Sequence, residues 1–223
     1  MVKTRIVLCL AVLAFVSVTA LAASKDGFVT INGGRQTIAL KGQSSFTPAA
    51  KPSAKLKTIY SNLGSSSTDV YNCCSGWTIG GSSGAAGEQW IAMPFTPKKA
   101  STIKQIDVAV GYVSGTNEIV ISLDADTSGL PGKTIHKWHF KNMPTFGSCC
   151  TLDTVKYAKG LKVKAKKQYW VTVTTDATDA DLWGAWNQVY NGASGGWAYS
   201  ANGGPWTATS GTLSAYDVLG TVP

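Results

Sequence analysis

The alternation that begins at Thr58 constrains this chain more than any other feature. In IDVAVGYV, Ile106, Val108, Val110 and Tyr112 fall at every second position, and in EIVISL so do Ile119, Ile121 and Leu123. A period of two sends successive side chains to opposite faces of a strand, so each run offers one apolar face to a core. The SGTN between the two runs predicts that they form a hairpin. In TIHKWHF, Trp138 and Phe140 point one way while Lys137 and His139 point the other. LKVKAKKQYWVTVTT alternates Leu161, Val163 and Ala165 with Lys162, Lys164 and Lys166, and continues into a strand built on Tyr169, Val171 and Val173. Trp170, Thr172 and Thr174 then share that strand's outward face. No run carries a helical period of useful length. About ten short strands, separated by turn residues, predict an all-β fold: an antiparallel β-sandwich, jelly-roll-like in topology.

The first residues read differently. Lys3 and Arg5 precede the apolar run IVLCLAVLAFVSV and the small-residue stretch TALAAS, the tripartite order of a secretory signal peptide. Residues 1–23 are therefore read as the leader, cleaved after Ala22 or Ala23, and Cys9 leaves with it. Residues 24–56 read as a polar spacer ending in FTPAAKPSAKLK, within which FVTINGGRQTIAL could turn back at Asn32, Gly33 and Gly34 as a small hairpin. Residues 57–223 form the sandwich domain. The mature chain is expected to be secreted, extracellular or periplasmic, with no membrane span of its own.

Four cysteines remain after the leader, as two adjacent pairs: Cys73 and Cys74 in NCCSGW, Cys149 and Cys150 in FGSCCTLDT. An even number in an oxidising compartment predicts a disulfide framework. Adjacent cysteines make poor zinc ligands compared with C-x2-C spacing, and no C-x-x-C redox motif is present. Three pairings exist. Bonds between the two motifs are favoured over two vicinal rings, because a vicinal bridge departs from ordinary disulfide geometry. Such a staple would close a loop of about eighty residues, worth about 4 kcal/mol in the chain-entropy account.

Composition narrows the partners. The formal charge is +8, and without Lys3 and Arg5 the chain keeps 18 basic against 12 acidic side chains. Of those 18 only Arg35 is an arginine, so bidentate contacts to bases or phosphates are almost unavailable, and nucleic acid is not expected as a partner.

The combination YSNLG, NCCSGWTI, QWIAMPFTP, QIDVAVGYVSGTN, SGLPG, PTFGSCCTLDT, QYWV, WGAWN and YDVLGT resembles the bacterial secreted module called the choice-of-anchor R domain, from about Lys57 to Thr221. The resemblance implies a secreted β-sandwich, often tethered by a C-terminal sorting segment. It implies no activity. The chain departs from the tethered pattern by ending in GTVP, without an apolar tail.

Candidate sites are few. His136 and His139, at an odd separation on one strand, face opposite ways and cannot share a metal. GGSSG, with Ser82 at its centre, matches the nucleophile-elbow pattern but sits in a glycine-serine loop rather than between a strand and a helix. Asp124 and Asp126, opening the loop DADTSGLPG, are the calcium candidates. Asp176, Asp179 and Asp181 form a second acidic group. Trp170, Trp183, Trp186, Trp197 and Trp206, the last four of them among glycines, asparagines and serines, are candidates for a carbohydrate surface. The leading expectation is a non-catalytic extracellular module meeting a polymer or protein surface, with no cofactor other than possible calcium. Carbohydrate binding through exposed tryptophans is the second, and an extracellular hydrolase the third.

Overall fold

The computed structural model describes residues 27–32, 35–40, 45–46 and 56–223. The leader, residues 1–23, lies outside them. In chain order the strands are β1 (Gly27–Asn32), β2 (Arg35–Leu40), β3 (Ser45–Phe46), β4 (Lys57–Ser61), β5 (Asn72–Gly80), β6 (Gln89–Phe95), β7 (Ser101–Val108), β8 (Val110–Ser114) and β9 (Glu118–Thr127). They continue with β10 (Leu130–Lys141), β11 (Ser148–Cys149), β12 (Asp153–Val163), β13 (Tyr169–Thr174), β14 (Trp183–Gln188), β15 (Ser194–Ala201), β16 (Thr207–Thr212) and β17 (Tyr216–Thr221). No described residue is helical.

The fold is the all-β sandwich that the alternation predicts. The larger sheet runs β1-β2-β5-β6-β13-β9-β10, with β14 joined to β5 and β8, and with β15 joined to β6 and β16. The smaller sheet runs β12-β7-β17-β4. Between them lies one core, to which β6 gives Ile91, Met93 and Phe95, β9 gives Ile119, Ile121 and Leu123, and β13 gives Val171 and Val173. The smaller sheet answers with Ile106, Val108, Val155, Tyr216 and Val218. Each of these aliphatic side chains contributes about 1.5–3 kcal/mol by leaving water, which is why the period of two dominates the topology.

Three expectations change. Residues 24–56 are not a spacer throughout: β1 and β2 form the hairpin, and β2 pairs with β5, extending the larger sheet. Ile38 of β2 is buried against Phe146, Trp183 and Ala185, so this stretch carries core residues of the domain. The predicted hairpin through SGTN is absent. At Ala109 the chain leaves the smaller sheet and enters the larger one, so β8 pairs with β14 while β9 pairs with β10 and β13. Asn187 secures this crossing, donating from its backbone N–H and its side-chain amide to the Ala109 carbonyl at 2.8 and 2.9 Å. One run of alternating residues thus serves two sheets.

The third change concerns the cysteines. Both pairs lie in one buried cluster with Val70, Tyr71 and Val189, so the motifs do meet in space. Yet the bond is vicinal, Cys149 to Cys150, and the favoured bridges between the motifs are not formed. Tyr71 donates its hydroxyl to the carbonyls of Ser148 and Thr151, pinning the turn on both sides, and the two bonded sulfurs face the Thr68 carbonyl oxygen at 3.9 and 3.5 Å. In the other pair, Cys73 and Cys74 hold their sulfurs 2.7 Å apart, and burial pushes the Cys73 thiol up to about 12.

A candidate functional site on the larger sheet

The outward face of the larger sheet carries the site. On β13 the residues that alternate with the core are Trp170, Thr172 and Thr174, and in register beside them on β9 are Asp124, Ser122 and Val120. On the other side β6 presents Ala92 opposite Thr172 and Pro94 opposite Trp170, with Trp90 one step further along the same face. β10 closes the far edge with Thr134 opposite Asp124 and Lys137 opposite Ser122. The result is a groove of about 210 Å³ floored by hydroxyls, flanked by the half-buried rings of Trp90 and Trp206, and reached by Asp176.

Each wall is held. Trp90 donates its indole N–H to Thr175 Oγ1 at 2.9 Å, which fixes the ring at the rim. Trp206, between β15 and β16, packs on the small cluster of Ala92, Trp170 and Ala198. Beneath it Trp170 lies buried on the sheet and donates to Asp126 Oδ1 at 2.8 Å. Gln168 donates to the same oxygen and the Gly129 N–H to Oδ2. Ser128 and Gly129 both take positive φ, 55° and 81°, so the predicted loop is a tight two-residue turn rather than an open cradle.

The floor is polar and tightly bonded. Ser122 Oγ is hydrogen-bonded with Thr172 Oγ1 and lies 3.0 Å from Asp124 Oδ2, to which it can donate. Asp124 is only 4% exposed, and burial raises its pKa while the hydroxyls of Thr134, Ser122 and Thr172 around it act in the opposite sense. Its Oδ1 has no hydrogen-bond partner. At the other carboxylate, the backbone N–H and hydroxyl of Thr178 both donate to Asp176 Oδ1 and hold its pKa below the usual range. His139 Nε2 stands 3.7 Å from Asp176 Oδ2, and its Nδ1 stands 3.2 Å from Glu118, which Lys141 also meets at 3.0 Å.

The predicted site residues therefore scatter. Of the five tryptophans only Trp206 reaches the groove surface. Trp183 and Trp186 are buried because β14 lies inside the larger sheet with both faces covered, Trp186 in the main core and Trp183 against Ile38 and Phe146, while Trp197 of β15 is buried against Trp77 at 4.4 Å between ring centres. Arg35 sits over both Trp77 and Trp197, so the lone arginine of the domain stacks on rings of its own fold. Asp124 and Asp126 have separate tasks, one on the groove floor and one holding the turn and Trp170. No group of three His, Cys, Asp or Glu side chains placed to hold a metal occurs among the described residues. Asp179 is buried, which pushes its carboxyl up to about 6, and it accepts from the Asp176 N–H; Asp181 accepts from Thr116. Trp90 is the residue that sequence reasoning missed. Its signal was legible: in QWIAMPF, Ile91, Met93 and Phe95 share one face, leaving Trp90 on the other.

A larger hollow, about 580 Å³, opens beside the chain end among Val163, Tyr169, Val222 and Pro223, with Lys162 and Lys164 at its edge. None of its lining side chains holds a buried polar atom that lacks a partner. It has space but no built recognition. Comparison of the chain with family models, curated proteins and solved structures finds no match.

Proposed function

We propose that this chain is a non-catalytic, secreted carbohydrate-binding module that holds a glycan across the outward face of its larger sheet. The observation that carries the reading is the pairing of two half-buried indoles, Trp90 and Trp206, with a floor of Ser122, Thr172, Asp124 and Thr134 in one groove. A sugar ring has apolar C–H faces and an equator of hydroxyls, so it needs flat apolar surface and fixed hydrogen-bonding groups at once. The groove offers both. Its floor is fixed in advance by the Ser122–Thr172–Asp124 bonds, which reduces the ordering cost of binding. The secreted part of the reading rests on the leader-like first residues. A general extracellular interaction role thereby acquires a ligand class.

A glycan array probed with the domain tests the reading, with Trp206→Ala as its control. Binding to a restricted set of glycans, weakened about tenfold or more in the variant, is the expected result. Binding to no glycan, or binding indifferent to Trp206, would remove the proposal, and a protein partner captured through the same face would replace it.

A further inference from the structure

Asp124 Oδ1 is a buried carboxylate oxygen at the floor of the groove with no donor. Leaving such an atom unpaired is costly, and a carboxylate more so than a neutral group. Ser122 donates to Oδ2, and the hydroxyls of Thr134 and Thr172 also stand by the carboxylate, yet Oδ1 itself accepts no hydrogen bond. Among the described residues that line the groove, this is the buried side-chain oxygen the fold does not serve.

The charge around that position selects the donor. Although the whole chain carries +8, the groove is lined by two carboxylates, Asp124 and Asp176, and one ammonium, Lys137. Lys137 is exposed and keeps its hydration, whereas Asp124 is fixed and dry. Nearby, the Lys141 ammonium and the His139 ring both lean on Glu118, and His139 also approaches Asp176. A hydroxyl would give Asp124 one neutral hydrogen bond. An ammonium gives a charge-assisted one and supplies the counter-charge that the buried carboxylate lacks. A uronic or sulfated sugar would instead bring a third anion to two.

We propose that the groove prefers glycans whose sugar units carry free ammonium groups, with Asp124 as the acceptor on the floor and Asp176 at the rim. This inference rests on the carbohydrate reading above and narrows it to an amino-sugar polymer in its unacetylated form. Lys137 is then left to meet hydroxyl or ring oxygens from the open side.

Titration calorimetry on the full domain at low salt, near pH 6 where the sugar amines are charged, separates the two claims. The probes are β-1,4-linked glucosamine oligomers, their N-acetylated counterparts and β-1,4-glucan oligomers of equal length. The glucosamine oligomer should bind about tenfold tighter than either neutral one, and rising salt should erode only that advantage. Asp124→Asn, which keeps the side chain's shape and removes its charge, should bring the affinities to within about threefold of each other. If the neutral oligomers bind as well as the charged one, or if Asp124→Asn leaves the preference intact, the ammonium inference falls while carbohydrate binding stands. If none of the three binds and the glycan array is also empty, both fall together.

Discussion

Asp217 of β17 stands directly across from Asp107 of β7, so two buried carboxyls face each other in register on the smaller sheet. They are not served alike. Gln105 donates its amide to both oxygens of Asp107, at 2.9 and 2.8 Å, and Thr154 adds a third bond at 2.6 Å. Asp217 Oδ1 has no partner, and burial, reinforced by the neighbouring Asp107, pushes the Asp217 carboxyl up to about 9.

The pair makes stability depend on pH in a stated direction. Unfolded, Asp217 loses its proton near pH 4; folded, it keeps it to about 9. Between those values the native state binds more protons than the unfolded one, so stability falls as pH rises and levels off above 9. Asp179, with its carboxyl at about 6, acts the same way at the acid end of the range. Above about pH 6.5 the slope is shared by Asp217 and by Asp153, whose burial likewise holds its carboxyl well above the usual range. Urea unfolding between about pH 6.5 and 8.5 should show falling stability in the natural protein and a flatter profile in Asp217→Asn. Parallel profiles would place the proton elsewhere.

Removing Trp186 should cost the fold what removing Trp206 does not. Trp186 is fully buried, donates to the Ala215 carbonyl at 2.9 Å and meets Tyr216 edge-on at 5.9 Å between ring centres. Trp186→Ala should lower unfolding free energy by about 3–5 kcal/mol, the usual cost of emptying a packed aromatic site. Trp206→Ala, at a half-exposed rim, should shift it by no more than about 1–2 kcal/mol. Equal losses in denaturant titrations would mean that Trp206 is core.

The cysteines make a covalent prediction. With Cys149 bonded to Cys150, cleavage between Phe95 and Met143 should give fragments that separate in denaturant without reductant. Cys73, its thiol pushed up by burial and by Cys74 beside it, should be alkylated in the native protein much more slowly than an ordinary thiol near pH 8. Fragments that stay joined until reduced would restore the bridge between the motifs.

How much of this was legible in the sequence depends on the range of the interaction. The faces of β9, β10 and β13 follow from a period of two, and Trp170, Thr172 and Thr174 point outward as that period requires. Facing outward is not the same as being exposed. Trp170 is covered by Trp206, which arrives from a loop 36 residues later in the chain, and nothing local to QYWV announces that cover. Trp183 and Trp186 alternate as expected, but both of their faces are covered, a property of sheet order rather than of the strand. The change of sheet at Ala109 leaves the alternation unbroken and so leaves no mark on it. Trp90 was readable in its own strand, while its place beside Asp124 required knowing that β6 and β9 flank β13.

The central claim is that Trp90 and Trp206 hold a glycan, and their indole N–H resonances test it most directly. In a titration followed by 15N–1H correlation spectra, a glycan selected on the array should move the Trp90 and Trp206 indole signals in proportion to occupancy, while those of Trp186 and Trp197 stay in place. A saturating glycan that leaves both rim indoles unmoved, or shifts only residues around the hollow at Val163 and Tyr169, would contradict the account.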